Sequence, residues 1–542
     1  MKFKYRLTAV IVVMIMLITA GCKKSDKPQK NAPAPSNSYQ DISPDYGGTL
    51  MLACFVPDTL NPLATQYQNI RDILMIIYEG LFRAERDLSA TPVLADGYSV
   101  STSNKIYTIK LKQNVSFHDG SKFDATDVIA TFNYIKSYPT PYSTMFENVL
   151  SFDMIDDYTI SIELISPQLD FINNLDFPIL PSGLSKEAFT AENEAFVPMG
   201  TGKFKYAEQV PGKSMTCKRA DNIYDNTEVY IENIQINYLR NTQDIFYAFD
   251  AGEIDMFTTD GSNWGEFAFT SDVRTFETVS TRYMFMGVNV NNEHLQDASL
   301  RRDINRIIDK KAMVESVMFS HATPANLPVI STAYYNKQAR QQQAPDAASS
   351  APGAAAATPV AEEDALEKPA ETAPEFSKYN ITLSLMYNNE SKEKYRAAQF
   401  IKTALEPYGI VIELDAVDFE TYKQRILEDS YNLYIGETVM DNNMNMDFMF
   451  NSLHKSEQRL CNYTDVQFDT LLNNLDMAAQ GSENSEIVYR NFVEYFEQNM
   501  PQIPLFHTNA ALFVSSRIKG NVDPGMSHLY SDIASFYINY NQ

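Results

Sequence analysis

The chain has 542 residues, several times the roughly 100 to 200 of a single domain, so more than one packed lobe is expected. Apolar residues make up 44% and charged residues 21%, which excludes a wholly disordered chain and a many-pass membrane protein. The 44 Lys plus Arg against 69 Asp plus Glu leave a net charge of −25, a surface that repels phosphate backbones and excludes nucleic acid as a partner. At the amino terminus Lys2, Lys4 and Arg6 precede an apolar run from Leu7 to Ala20, the charged and hydrophobic regions of an export signal over 1–21. About 14 residues long, the run is shorter than the roughly 20 needed to span hydrocarbon as a helix.

Thr19-Ala20-Gly21-Cys22 resembles the lipobox of bacterial lipoproteins. The resemblance implies cleavage before Cys22, whose thiol would carry lipid, palmitate included, and hold the mature protein at the cell membrane, facing outside the cytoplasm. Residues 22–45 are rich in Lys, Pro, Ser, Asn and Ala without an apolar period, a flexible tether that cannot bury enough surface to offset its ordering entropy. Cys54, Cys217 and Cys461 are far apart and show no CxxC spacing, so buried free thiols are expected.

The folded part mixes strands and helices. Tyr107, Ile109 and Leu111 alternate with polar residues, as do Tyr158, Ile160, Ile162 and Leu164, and then Ile234, Ile236 and Tyr238, which predicts half-buried strands. Residues 338–374 are almost entirely Ala, Pro, Gln, Glu and Ser, a disordered insertion in which repeated Pro forbids a helix. Beyond it Ile381, Leu383 and Leu385 predict a strand. Ala398, Ile401 and Leu405 predict one helix face, and Ile410, Ile412 and Leu414 a second strand. This is a βαβ unit with parallel strands and a right-handed crossover. Helices near Phe468–Met477 and Glu486–Gln498 and a short apolar strand after Pro501 and Pro504 follow. The fold class is α/β with mixed sheets.

Catalytic patterns are missing. No two of the six His stand at HExxH or HxH spacing, and neither a GxSxG elbow nor a GxxxxGK[ST] or GxGxxG loop occurs. Gly200-Thr201-Gly202 is better explained as a tight turn. An enzyme is not expected, nor a cofactor or metal.

A set of blocks carries a resemblance. Val115 to Val128, with Phe117-His118-Asp119-Gly120 inside it, is similar to the signature of the family 5 extracellular solute-binding proteins, the oligopeptide and dipeptide receptors of bacterial ABC importers. Gly47 to Leu50, Leu60-Asn61-Pro62, Ile77 to Leu81, Gly200 to Phe204, Ala251 to Asp255, Leu300 to Lys310 and Met500 to Phe506 follow the family's order. The resemblance implies a two-lobed periplasmic-binding-protein-like fold, type II, whose chain crosses between the lobes twice. Lobe one would comprise 46–82, 200–289 and 514–542, with an inserted subdomain at 83–199. Lobe two would run over 290–513 and contain the 338–374 insertion. A peptide would bind in the interlobe cleft and closure would bury it for delivery to permease subunits, the receptor acting as a monomer. Physically, His118 is a turn residue beside Gly120, and the carboxylates of the Ala251–Asp255 block are locally bonded.

The resemblance also implies site residues. In peptide receptors of the family an Asp in the loop after a lobe-two strand pairs with the ligand's amino terminus; here a strand Asn432–Ile435 is expected, and Asp441 in the loop after it occupies that place. Thr438 and Val439 stand where the family has Trp, which keeps a sugar, a metal chelate or an opine open as ligand. Asn442 and Asn445 either read polar ligands or form Asx-turns. Tyr283 either stacks on ligand or packs in the core. Gln66 follows the Asn61-Pro62 block where a polar contact is frequent, and Trp264, the single Trp of the chain, is a cleft wall or a packed anchor. A receptor read by a sensor instead of a permease would share these residues, and a surface hydrolase would need a convergent nucleophile or metal.

Overall fold

The computed structural model describes residues 44–539 except 86–88, 169, 185–195, 260–272, 331–378, 453–459, 479–482, 523 and 526–527. The export signal, Cys22, the tether up to residue 43, Trp264 and the Ala/Pro insertion all lie outside the described residues. Period-two alternation produces strands where it predicts them. In Ile106–Leu111 the buried side chains are Tyr107, Ile109 and Leu111, and in Thr159–Leu164 they are Ile160, Ile162 and Leu164. These strands pair antiparallel in the middle of a four-stranded sheet flanked by Ala95–Val100 and Val149–Asp156. Helix Ala125–Ser137 covers this sheet, with Phe132 stacked on Phe152 at 4.2 Å. Its start is fixed by a capping box: the Asp124 carboxylate accepts from Thr126 N–H at 2.8 Å, and the Asp127 carboxylate accepts from Asp124 N–H at 3.0 Å.

The largest sheet has eleven strands. Two long ones lie in its middle, Val273–Val288 and Gln502–Ser515, antiparallel to each other. On one side follow Leu433–Val439, Ile381–Asn388 and Ile410–Val417; on the other, Met256–Thr259, Thr49–Phe55, Asn233–Leu239, Ser214–Arg219 and Phe204–Val210. Ala322–Pro324 adds to Gln502–Ser515. The predicted βαβ unit is present: Ile381–Asn388 pairs in parallel with Ile410–Val417, and helix Lys392–Leu405 buries Ala397, Ala398, Ile401 and Leu405 between them in sequence. Helix Phe419–Leu427 then leads to Leu433–Val439, which joins Ile381–Asn388 on its other edge, also in parallel. The strand order therefore reverses at Ile381–Asn388.

Two strands outrun their sequence expectation. The predicted short strand after Pro501 is 14 residues long. Pro504 is tolerated within it because it lies opposite Phe285, where the ladder register shifts. The strand expected to stop at Ile435 continues to Val439 because Arg282–Phe285 supplies partners for Gly436–Val439.

The two long strands belong to two cores. Near one end Phe276, Leu512 and Val514 pack with a core built from residues such as Leu50, Phe117 and Ile234. Near the other, Tyr283–Met286, Val288, Ile503, Leu505 and Phe506 pack with Leu385, Ile401 and Phe468. Between these regions the pairing loses register from Val279 to Tyr283. Among the described residues these are the only strands shared by both cores, and a break in their ladder is where the backbone can bend with least loss of packing.

The family-like blocks form joints. His118 N–H donates to Gly200 O at 3.0 Å, the His118 Nε2 is 2.9 Å from Gly202 O, and Gly202 N–H donates to Ile77 O at 2.9 Å. Glu79 gathers Thr201 Oγ1 at 2.9 Å, Lys203 Nζ at 3.1 Å and Tyr224 OH at 3.1 Å. Gly120 and Gly252 take the left-handed φ values, +86° and +73°, that their turn and helix-stop readings require. Asp255 is a buried anchor: it accepts from Met51 N–H at 2.7 Å and pairs with Arg517. Cys54, Cys217 and Cys461 are buried free thiols, as the spacing predicts.

Candidate functional site

In open α/β sheets the crevice for ligand forms at the carboxyl ends of strands where the strand order reverses. Here that edge is made by the ends of Ile381–Asn388 and Leu433–Val439, and it faces the register break of Val273–Val288. Met440 N–H donates to Thr281 O at 2.9 Å, which ties the loop after Val439 to that break. Asp441 follows. Its side chain is half-buried, and among the described residues none donates a hydrogen bond to its carboxylate. Burial, with the charge of Glu147 added, raises its pKa to about 6. Glu147 comes from the other core's side, after the turn Ser143–Phe146 of the four-stranded-sheet region.

The loop continues through successive Asx-turns. Asn443 Oδ1 accepts from Asn445 N–H at 3.2 Å, and Asn445 Oδ1 accepts from Asp447 N–H at 2.9 Å. Asn445 Nδ2 donates to Asp476 at 3.2 Å, and Asn442 is buried. Asn445 also lines a crevice of about 40 Å³ in which Asp170 faces Met444, Asp447, Asp476 and Tyr489. Asp441 is outside that lining. The two sides touch where Asn104 Nδ2 donates to Met477 O at 3.1 Å.

Of the residues singled out in the sequence, Asp441, Asn442 and Asn445 thus share one loop. Tyr283 is 0% exposed, donates to Gln502 Oε1 at 3.1 Å and stacks on Phe285 and His507 at centroid distances of 5.4 and 5.1 Å. The structure places it in the core behind the loop. Gln66 is exposed on another loop, where its amide donates to Ala64 O at 2.9 Å and its N–H to Asp58 at 3.0 Å. Sequence reasoning missed Arg282, which ion-pairs with Glu437 at 2.6 Å, and the neighbouring buried Lys394. No local signal could have found them, because strand register brings 282 and 437 together and the packing of helix Lys392–Leu405 adds 394.

A larger cavity of about 480 Å³ lies elsewhere, against Asp72, Asp176, Lys203, Tyr224, His528 and Tyr530. Its charges are matched within the fold: Asp176 with His528 at 2.8 Å, and Lys203 with Glu79 and Asp225 at 3.1 and 2.8 Å. Among the described residues no group of three or more His, Cys, Asp or Glu is arranged to hold a metal ion, and no helix is long and apolar enough to cross a membrane.

Residues 89–459 match the bacterial extracellular solute-binding proteins, family 5 middle region. The chain belongs to this family. It is 20% identical over 547 residues to the oligopeptide-binding protein AppA of Bacillus subtilis (strain 168), with 95% of this chain and 96% of that protein covered. The structure of AppA from B. subtilis in complex with a nonapeptide shares the fold at a TM-score of 0.61 and 17% identity, over 92% of this chain and 100% of the other. So does AgaA from A. tumefaciens R10 in complex with agropinic acid, at 0.62 and 18%, over 91% and 99%. The fold is periplasmic-binding-protein-like, and the relatives are substrate-binding proteins, not enzymes.

Proposed function

We propose that this family 5 protein is an extracytoplasmic lipoprotein that captures a peptide by lobe closure and delivers it to the permease of an ABC importer. The observation that carries the reading is Asp441: a half-buried carboxylate without a hydrogen-bond donor, at the carboxyl edge of the lobe-two sheet and near a second carboxylate, Glu147. A desolvated anion in that state is stabilised by a cation, and the amino terminus of a peptide supplies one. Exposed ladder groups at the sheet edge can then pair with the peptide backbone as an added strand.

The lobes in this reading are 46–82 with 200–289 and 514–542, carrying the subdomain 83–199, and 290–513. Closure turns about the register break from Val279 to Tyr283. Lipid on Cys22 keeps the receptor, a monomer, beside its permease. The AppA likeness favours a peptide. A non-peptide solute is the second reading, favoured by Thr438 and Val439 where peptide receptors carry Trp and by the fold shared with an agropinic acid receptor.

Mass spectrometry of solute released from the purified protein by denaturation tests the proposal. Recovery of peptides is expected. Recovery of a sugar, a metal chelate or an opine in their place overturns the peptide assignment.

A further inference from the structure

The cavity of about 480 Å³ beside Lys203 and His528 is lined only from 72–93, 112, 176, 202–230 and 528–535, so no residue of the sheet-edge loop or of the second core reaches it. Its volume falls within the roughly 300 to 1,000 Å³ of small-molecule pockets. The charges of this cavity are matched, but two of its donors are not. His528 gives Nε2 to Asp176 at 2.8 Å, and that carboxylate favours the charged ring, which carries a second N–H on Nδ1. Among the described residues no acceptor closes a hydrogen bond with Nδ1. The Tyr530 hydroxyl is buried as well, and Thr258 approaches it without closing a bond. Buried donors left in this state are costly, and a bound acceptor removes the cost.

The other walls narrow the chemistry of that acceptor. Tyr224 and Tyr230 offer ring surface, and the Tyr230 hydroxyl donates to Glu228 at 2.9 Å. Asp225 accepts from Lys203 at 2.8 Å, and both it and Glu228 retain further lone pairs. A cationic ligand would suit these carboxylates but meet neither free donor. An anion would suit the donors but face Asp72, Asp225 and Glu228. A hydroxyl group both accepts and donates, so a neutral molecule carrying several of them satisfies the two sets together. A second recess of about 630 Å³ adjoins the first, since Lys112, Tyr224 and Asp225 line both, and Asp96, Tyr158 and Thr159 continue it. There is thus room for more than one sugar unit.

We propose that this cavity is a second binding site, separate from the sheet-edge crevice, for a neutral sugar, with His528 and Tyr530 donating to its oxygens and Asp225 and Glu228 accepting from its hydroxyls. The rings of Tyr224 and Tyr230 supply the apolar contact, and the adjoining recess lets a chain of sugar units run past Tyr224. The site does not depend on what the crevice at Asp441 binds.

Isothermal titration calorimetry of the full chain and of Tyr530→Phe, with maltotriose and triacetylchitotriose as probes, tests this. Wild type is expected to bind at least one of them saturably, and Tyr530→Phe to bind it about threefold to tenfold more weakly, the loss of one hydrogen bond. In urea without sugar the Phe variant is expected to unfold at the same midpoint as wild type or a higher one, because it gives up no partner. A lower midpoint would mean that the hydroxyl is bonded within the fold, and overturns the proposal. The ¹⁵Nδ1 resonance of His528 locates the ligand: a saturable shift with the trisaccharide is expected, and none with acetate or ethylammonium. Failure of both trisaccharides to bind, or a shift with either ion in place of sugar, overturns the proposal. So does sugar binding that leaves this resonance unmoved, and if Asp441→Asn then abolishes it, the sugar belongs to the sheet-edge crevice.

Discussion

Replacing Asp441 by Asn should move stability and affinity in opposite directions. The folded protein raises the pKa of this carboxyl from 3.8 to about 6, so the native state holds the proton more tightly than the unfolded chain. Below about pH 4 both states are protonated and the group costs nothing. As pH rises from 4 to 6 the unfolded state ionises first, and above 6 the native state carries the full penalty. A shift of about two pH units at 1.36 kcal/mol each is roughly 3 kcal/mol, and solvent access to a half-buried group reduces this to about 1 to 3 kcal/mol. Asn keeps the shape without the charge, so Asp441→Asn should be more stable than wild type by that amount at pH 7.5 and equal to it at pH 4. Binding should fall, because truncating one partner of a desolvated charge pair costs about 2 to 5 kcal/mol, a loss of roughly 30-fold or more in peptide affinity. Wild-type affinity should itself decline by up to about tenfold per pH unit below 6 as Asp441 is protonated. Urea unfolding at pH 4.0 and 7.5, with calorimetry of peptide binding at both, reads all three effects. An Asn variant with unchanged affinity, or one less stable than wild type at pH 7.5, would refute the assignment of a ligand-facing, uncompensated charge.

Other substitutions probe the frame and the anchor. Burial alone would lower the His528 pKa, but the charge and hydrogen bond of Asp176, with Asp72 nearby, leave it raised above 6.5. The stabilisation is therefore complete below pH 6.5 and lost as pH rises through the folded-state value, so His528→Gln should cost about 1.5 to 3 kcal/mol at pH 6 and less at pH 9. An equal cost at both values would count against a charged pair. Gly200→Ala would set a Cβ 2.1 Å from Ile77 O; urea unfolding should show a loss of about 3 kcal/mol or more, whereas Gly97→Ala, which meets nothing within 4 Å, serves as the mild control. Cys22→Ala should shift the protein from the membrane to the soluble fraction of lysed cells, and retention at the membrane would exclude lipid on that thiol as the anchor.

The sequence periods were informative wherever one face of an element is buried and the other wet. That is why Ile106–Leu111, Thr159–Leu164 and the βαβ unit around helix Lys392–Leu405 were legible. The long strands were not. Gln502–Ser515 is buried at nearly every position, so it lacks alternation, and its Pro504 reads locally as a stop. The register break from Val279 to Tyr283 is equally invisible, because Val273–Val288 meets different partners on either side of it. Asp441 became conspicuous through family resemblance alone. In composition it is one acid among 69 Asp plus Glu, and its distinction, a carboxylate without a donor, arises only when the loop docks beside Glu147. Asn445 shows the converse: its residue type suits both ligand contact and an Asx-turn, and the structure shows the turn.

The lone Trp bears on how such a site could discriminate. Val439, at a position where peptide receptors of the family carry Trp, is 59% exposed and sits opposite Arg282 at the end of its strand; Thr438 sits opposite buried Tyr283. Neither offers the 150 to 250 Å² of rigid aromatic surface that an indole or phenyl ring buries against a ligand. What this edge supplies instead is charge held in half-dry surroundings, the Asp441 carboxylate and the Arg282–Glu437 pair among it. Desolvated charges reject a ligand that lacks the matching group much more sharply than an apolar wall rejects a side chain differing by one methylene, which costs only about 1 to 3 kcal/mol. Recognition built this way reads the ends of the solute and is indifferent to much of what lies between them.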